Sequence, residues 1–300
     1  MRWDPTQYAR YSDHRSRPFF DLVTQIGAES PGTVIDVGCG SGELTVTLAQ
    51  RWPATTLLGL DSSPEMIGGA PVGRGADFTV KAAEEVDATG VDVLVSNAAL
   101  QWVPQHTELL TQWARQLNEG GWIAFQVPAN FDAPSHRLMR DLADSPRWHG
   151  RLQGVLRGAL TVAEPETYLD LLTAQGLQVG VWQTQYLHVL QGDDPVLEWV
   201  RGTGLRPVLE VLSDDEADAF SAEYAALLRQ AYPRRTYGTV FPFLRTFAVA
   251  HKTTDRRVVP ADVTPAVDPV DRPSSRSACG LPLAPLCVAE PVGDCRDDET

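Results

Sequence analysis

The chain has 300 residues, 43% of them hydrophobic, ample for the core of one large domain or two small ones. Its formal charge of −14 argues against a nucleic-acid partner, whose phosphates need a basic surface. No apolar run approaches the roughly 18–20 residues of a membrane span, and the first eighteen residues carry charges throughout with no apolar signal core, so a cytoplasmic location is expected and no protein partner is inferred.

Residues 1–30 precede the first strand signal and read as an arm expected to fold over a binding site, with Trp3, Tyr8 and Tyr11 as its aromatic side chains. From 33 to 128, strand and helix signals alternate. Strands are predicted at 33–37, 55–60, 76–80, 91–96 and 121–127, with helices at 43–51, 63–69 and 105–117 between them. A helix at 165–175 and two late strands, 179–190 and 240–250, complete the pattern. Such alternation predicts an α/β fold: a doubly wound, mostly parallel seven-stranded sheet with helices on both faces. Helical insertions at 131–160 and 193–235 are expected over the C-terminal edge of the sheet, where open α/β sheets bind ligands. After Lys252 the aromatics vanish and prolines recur, so 1–252 reads as one domain and 253–300 as a disordered tail. Cys279, Cys287 and Cys295 lie in that tail without the close pairs of a zinc site, and no metal is expected.

The segment TVIDVGCGSG, residues 33–42, carries the chemistry. An apolar strand ends in a turn of pattern D-x-G-x-G-x-G (Asp36, Gly38, Gly40, Gly42), and a helix signal follows. That arrangement presents backbone N–H groups and open space to a nucleotide-like cofactor. A dinucleotide fingerprint would put its third glycine at 43, where the chain has Glu43. Asp61 closes the second strand in LLGLDSSPEM, followed by Ser62 and Met66. An acid about twenty residues beyond the turn suits both ribose hydroxyls, while Asp61, Ser62 or Ser63 before Pro64 also suits a helix cap. Asn97 opens the loop after the fourth strand, where it either lines a site or caps the next helix, and Trp102 follows as a site or core residue.

The glycine turn resembles the first motif of the class I S-adenosylmethionine-dependent methyltransferases. Five further segments resemble the trans-aconitate methyltransferase family in order: WDPTQYARYSDHRSRPFFDL (3–22), SNAALQWVPQH (96–106), SHRLMR (135–140), TGLRP (203–207) and FLRTFAVA (243–250). The likeness spans residues 2–252. It implies S-adenosyl-L-methionine as cofactor, held by Asp36, Gly38, Gly40, Gly42, Asp61, Ser62, Met66 and Asn97. It also implies methyl esterification of one carboxylate of a small anionic tricarboxylate. Relatives often place an acid after the third strand for the adenine amino group; this chain has Ala82 there, leaving Glu84 or backbone atoms for the task.

That reaction needs no general base, because a carboxylate is ionised at pH 7 to all but about one part in a thousand. It needs positioning in a dry centre, and a trianion in so acidic a protein needs concentrated arginine. Arginines in the resembling segments are Arg15, Arg17, Arg137, Arg140, Arg206 and Arg245. Position favours Arg17 in the arm, Arg206 between Gly204 and Pro207, and Arg245 inside an apolar strand. His136, Trp3 and Tyr8 complete the expected substrate contacts. The alternatives are a malonyl-thioester O-methyltransferase, whose relatives share the glycine turn and the LQW element, a dinucleotide-dependent oxidoreductase, and a non-catalytic cofactor-binding protein.

Overall fold

The computed structural model describes residues 12–156 and 162–253, with side chains from Ser16 onward. Trp3, Tyr8, Tyr11, the side chain of Arg15 and the tail beyond Thr253 lie outside the described residues. In chain order the elements are α1 (Ser12–Val23), β1 (Thr33–Val37), α2 (Thr45–Arg51), β2 (Thr56–Asp61), α3 (Pro64–Gly68), β3 (Asp77–Val80), β4 (Val93–Asn97), α4 (His106–Gln116) and β5 (Trp122–Pro128). There follow α5 (Pro134–Ala143), α6 (His149–Leu152), α7 (Pro165–Thr173), β6 (Gln178–Leu190), α8 (Pro195–Arg201), α9 (Arg206–Val211), α10 (Asp214–Ala231), β7 (Arg234–Arg235) and β8 (Gly238–His251).

The sheet order is β3-β2-β1-β4-β5-β8-β6, parallel from β3 to β5 and antiparallel where β8 inserts between β5 and β6. The expected seven strands are all present. An eighth, the two-residue β7, pairs with the start of β8 and is too short to leave a hydrophobic pattern. Val34, Ile35 and Val37 of β1 and Val93, Leu94 and Val95 of β4 are buried, as strands covered by helices on both faces must be.

One face packs Leu94, Ile123 and Phe125 against Trp113 of α4 and Tyr168 and Leu172 of α7. The other packs Val34, Val93 and Phe247 against Phe19, Leu22 and Val23 of α1. The described part of the expected arm is therefore a core helix rather than a cover. Its apolar residues recur at i, i+3 and i+4, the spacing that commits one helical face to the sheet. Both helical insertions share a third core, in which Met139, Trp148, Trp199, Phe220 and Tyr224 surround Phe241 and Phe243 of β8. Tyr224 donates from its hydroxyl to the Ser135 carbonyl at 2.7 Å, and the Ser135 N–H donates to the Tyr232 hydroxyl at 3.0 Å, tying α5 to α10. The insertions thus form one cap. No helix among the described residues is long and apolar enough to cross a membrane.

Candidate active site

The glycine turn is built from backbone demands. Gly38 has φ of 76°, and a Cβ there would overlap the Ala99 side chain. Gly40 has φ of 58° and faces open space, so the chain leaves room for a ligand at that point. Its N–H donates to Asp61 Oδ2 at 2.9 Å, and the Ser63 N–H donates to Asp61 Oδ1 at 2.9 Å. Ser63, not Asp61, caps α3, accepting the Met66 N–H on its hydroxyl at 3.2 Å. Asp61 is thereby held rigid with lone pairs to spare. Asp36 is 3% exposed and lies beneath the turn, accepting the Thr45 hydroxyl at 2.6 Å. Burial raises its carboxyl to about 6, with Thr45 opposing and the nearby Asp61 charge adding. Burial and the same two acids push the Cys39 thiol up, which keeps it protonated at neutral pH.

A first cavity is walled by Gly38, Gly40, Asp61, Ser62, Met66 and Asn97 among the residues expected from sequence. Gly42 stands behind it, packed where a Cβ would meet the Phe78 ring. Lys81, Ala82, Ala83 and Glu84 form the far wall. The Ala82 N–H is taken by Glu85 at 3.0 Å, while Glu84 accepts Gln105 at 3.2 Å. Glu84 therefore lines the cavity where Ala82 offers no carboxylate.

A second cavity shares Asn97, Ala98 and Trp102 with the first. Ala98 has φ of 55°, an αL conformation uncommon for alanine and set at the meeting point of the two cavities. Phe131, Met139, Trp199 and Phe243 make much of the wall apolar. Its polar members include Asn97, Gln101, Asn130, His136, Arg140, Thr203 and Arg245. Arg245 is 4% exposed, lies 4.6 Å from the Phe243 ring centroid, and donates from Nη1 to Gln126 Oε1 at 3.1 Å. Gln126 Nε2 in turn donates to Asn97 Oδ1 at 2.8 Å. Guanidinium has no acceptor, so the direction of this relay is fixed and Asn97 keeps its amide N–H groups for the cavities. Arg140 donates to the Phe131 carbonyl at 2.8 Å and lies 3.8 Å from Asp132. Enclosure, helped by the Arg140 charge, lowers His136 to about 4, so it is neutral at pH 7.

Two expected substrate residues, Arg206 and Arg17, are not among the residues that wall the second cavity. Arg206 starts α9 and pairs with Glu210 at 3.6 Å, while Thr203, Gly204 and Pro207 supply the wall. Arg17 lies 3.6 Å from Asp21 and over the Tyr186 ring, with its side chain 74% exposed. Arg137 is also exposed. The structure thus brings together Arg140, Arg245 and His136. Gln126, Gln101 and Asn130 were not singled out from sequence. Gln126 carried a usable signal, a lone polar residue within the apolar strand WIAFQVP, the same signal that marks Arg245.

Residues 11–180 match a family described as a methyltransferase domain. The chain is 52% identical over 260 residues to the trans-aconitate 2-methyltransferase of Streptomyces avermitilis, covering 83% of this chain and 97% of that one. It is 51% identical over 251 residues to the enzyme of the same name from Rhodococcus jostii, covering 83% and 98%. Among solved structures, the YcgJ protein of Bacillus subtilis superposes with a TM-score of 0.50 at 14% identity, covering 81% of this chain and all of that one, a likeness of fold alone. By sequence, by sheet order and by the paired cavities at the strand ends, the chain belongs to the class I methyltransferases and, within them, to the trans-aconitate 2-methyltransferase family.

Proposed function

We propose that the chain transfers the methyl group of S-adenosyl-L-methionine to one carboxylate of trans-aconitate, giving a methyl ester and S-adenosylhomocysteine. The observation that carries this reading is the junction at Asn97, Ala98 and Trp102, where a cavity bearing Gly40 and Asp61 meets one bearing two arginines. The first cavity fits an adenosyl group. Gly40 leaves open space for it, Asp61 offers two fixed oxygens to ribose hydroxyls, and Glu84 is the carboxylate on the wall expected to face adenine. When bound, the cofactor supplies an electrophilic methyl on a sulfonium.

The chain's own residues then do the holding. Arg245 and Arg140 offset substrate charge in a protein of net −14, and Arg245 is aimed by Gln126. His136 adds a neutral N–H. The aromatic wall of Trp102, Phe131, Trp199 and Phe243 excludes water from a step in which opposite charges cancel. No side chain has to accept a proton, since the nucleophile arrives ionised.

The test compares kcat/KM for trans-aconitate, cis-aconitate, citrate, isocitrate and a malonyl thioester on its carrier protein. The reading expects trans-aconitate to lead. A malonyl thioester as the sole methylated acid would transfer the assignment to that substrate.

A further inference from the structure

Asn130 lies on the loop between β5 and α5, in the wall of the second cavity, and is 4% exposed. Its Nδ2 is buried without a hydrogen-bond partner among the described residues. A buried amide donor left unmade is destabilising, and such groups in native proteins are few. The backbone does not require asparagine here: the Asn130 carbonyl accepts the Ala133 N–H at 3.0 Å, a bond any residue would supply. The donor therefore points to a ligand that brings an acceptor.

Gln101, on the same wall, has the opposite polarity. One N–H of its Nε2 donates to the Ala98 carbonyl at 2.6 Å, and its buried Oε1 has no partner among the described residues. A carboxylate is repelled by a carbonyl oxygen and drawn to amide N–H groups, so the two side chains orient an anion toward Asn130. The cation and the neutral donor of that side belong to the same unit. Arg140 bonds the Phe131 carbonyl, fastening α5 to the loop, and His136 packs edge-on to Phe131 with ring centroids 5.5 Å apart. Arg245 instead pairs across the sheet from Pro128 and is linked through Gln126 to Asn97, the residue shared with the first cavity.

We propose that Asn130 is a specificity-determining residue whose amide N–H groups, with His136 and Arg140, seat a substrate carboxylate that is not methylated. The assignment rests on the carboxylate-methylating reading above and names which part of the cavity recognises the remainder of the acid.

The experiment measures kcat/KM for wild type, Asn130→Ala and Asn130→Asp on trans-aconitate. It repeats the measurement on the three dicarboxylates in which each carboxylate in turn is replaced by hydrogen: itaconate, cis-glutaconate and mesaconate. Acids that bind without turnover are read by their inhibition constants against trans-aconitate. Asn130→Ala is expected to lower kcat/KM on trans-aconitate about 10- to 100-fold, mainly through KM. On the one dicarboxylate that lacks the seated group, the penalty is expected to shrink to less than about threefold. Asn130→Asp keeps the volume and adds a negative charge, so it is expected to lose more activity while binding S-adenosylhomocysteine as wild type does. Equal penalties on every acid, or an Asn130→Asp protein as active as wild type, overturn the assignment. A wild-type protein that binds S-adenosylhomocysteine but methylates and binds none of the four acids overturns the carboxylate reading, and the role of Asn130 with it.

Discussion

The carboxylate of Asp61 accepts the backbone N–H of Gly40 across 2.9 Å, joining the end of β2 to the middle of the glycine turn. Its other oxygen accepts the Ser63 N–H, so a single acid fixes the turn, the start of α3 and the two oxygens offered to the first cavity. Such a group is set before any ligand arrives, which limits the ordering cost of binding.

Asp61→Ala is therefore expected to weaken S-adenosylhomocysteine binding about 100-fold, the loss of two charge-assisted hydrogen bonds and of a preformed turn. Calorimetric titration measures it. The KM for the acid, taken at saturating cofactor, is expected to change far less.

Asp36 makes the free protein sensitive to pH. Its carboxyl is raised from 3.8 to about 6 in the fold by burial. A raised carboxyl binds its proton more tightly folded than unfolded, so its contribution is fully present below 3.8 and is lost as pH rises through about 6. The ligand-free protein should lose up to about 3 kcal/mol of stability between pH 4 and pH 7 from this group. Asn can keep the Thr45 bond without the charge, so Asp36→Asn is expected to be the more stable protein at pH 8 in urea denaturation. A cationic cofactor reverses the preference, favouring ionised Asp36. Affinity for S-adenosyl-L-methionine should fall as pH drops below about 6 in wild type and stay flat in Asp36→Asn.

The arginines separate by position. Arg245→Ala is expected to raise the KM for trans-aconitate about 100-fold while cofactor affinity shifts less than about threefold. Gln126→Leu should reproduce part of that loss, because the guanidinium stays but loses the acceptor that links it to Asn97. Arg206→Ala and Arg17→Ala, which pair with Glu210 and Asp21, are each expected to change KM by less than about threefold. Steady-state kinetics at saturating cofactor checks all four.

A chain ending at Lys252 is expected to fold and retain full activity. The Lys252 ammonium donates to the Leu117 carbonyl at 2.7 Å, and its own carbonyl accepts the Gly120 N–H at 2.7 Å, so the last strand is already fastened. A soluble but inactive truncation would assign the tail a role that its composition does not announce.

Much of this is legible in the sequence, for physical reasons. β1 and β4 are buried on both faces and so appear as largely apolar runs, interrupted by Asp36 in one and ended by Ser96 and Asn97 in the other; the turn demands glycine at Gly38 and Gly40 whatever surrounds it. Arg245 was legible because a charge inside an apolar strand needs an explanation. Arg206 reads as a loop residue because Pro207 looks like a break, whereas proline is at home in the first turn of a helix, and α9 begins there. Arg140 stood among the candidates without preference, since a helical arginine looks like any solvated one. Asn130 and Gln101 were invisible because the wall they share is closed by α5 and α8, and no local period records how a cap helix sits above a sheet. Asp36 was expected at the cofactor; it lies one layer deeper, bonded to Thr45.

The most direct measurement supplies S-adenosyl-L-methionine with a labelled methyl group and trans-aconitate to the purified protein and follows the label. One base-labile methyl ester of the acid for each S-adenosylhomocysteine formed is the expected result. Intact cofactor after prolonged incubation with trans-aconitate, from protein shown to bind S-adenosylhomocysteine, would contradict it.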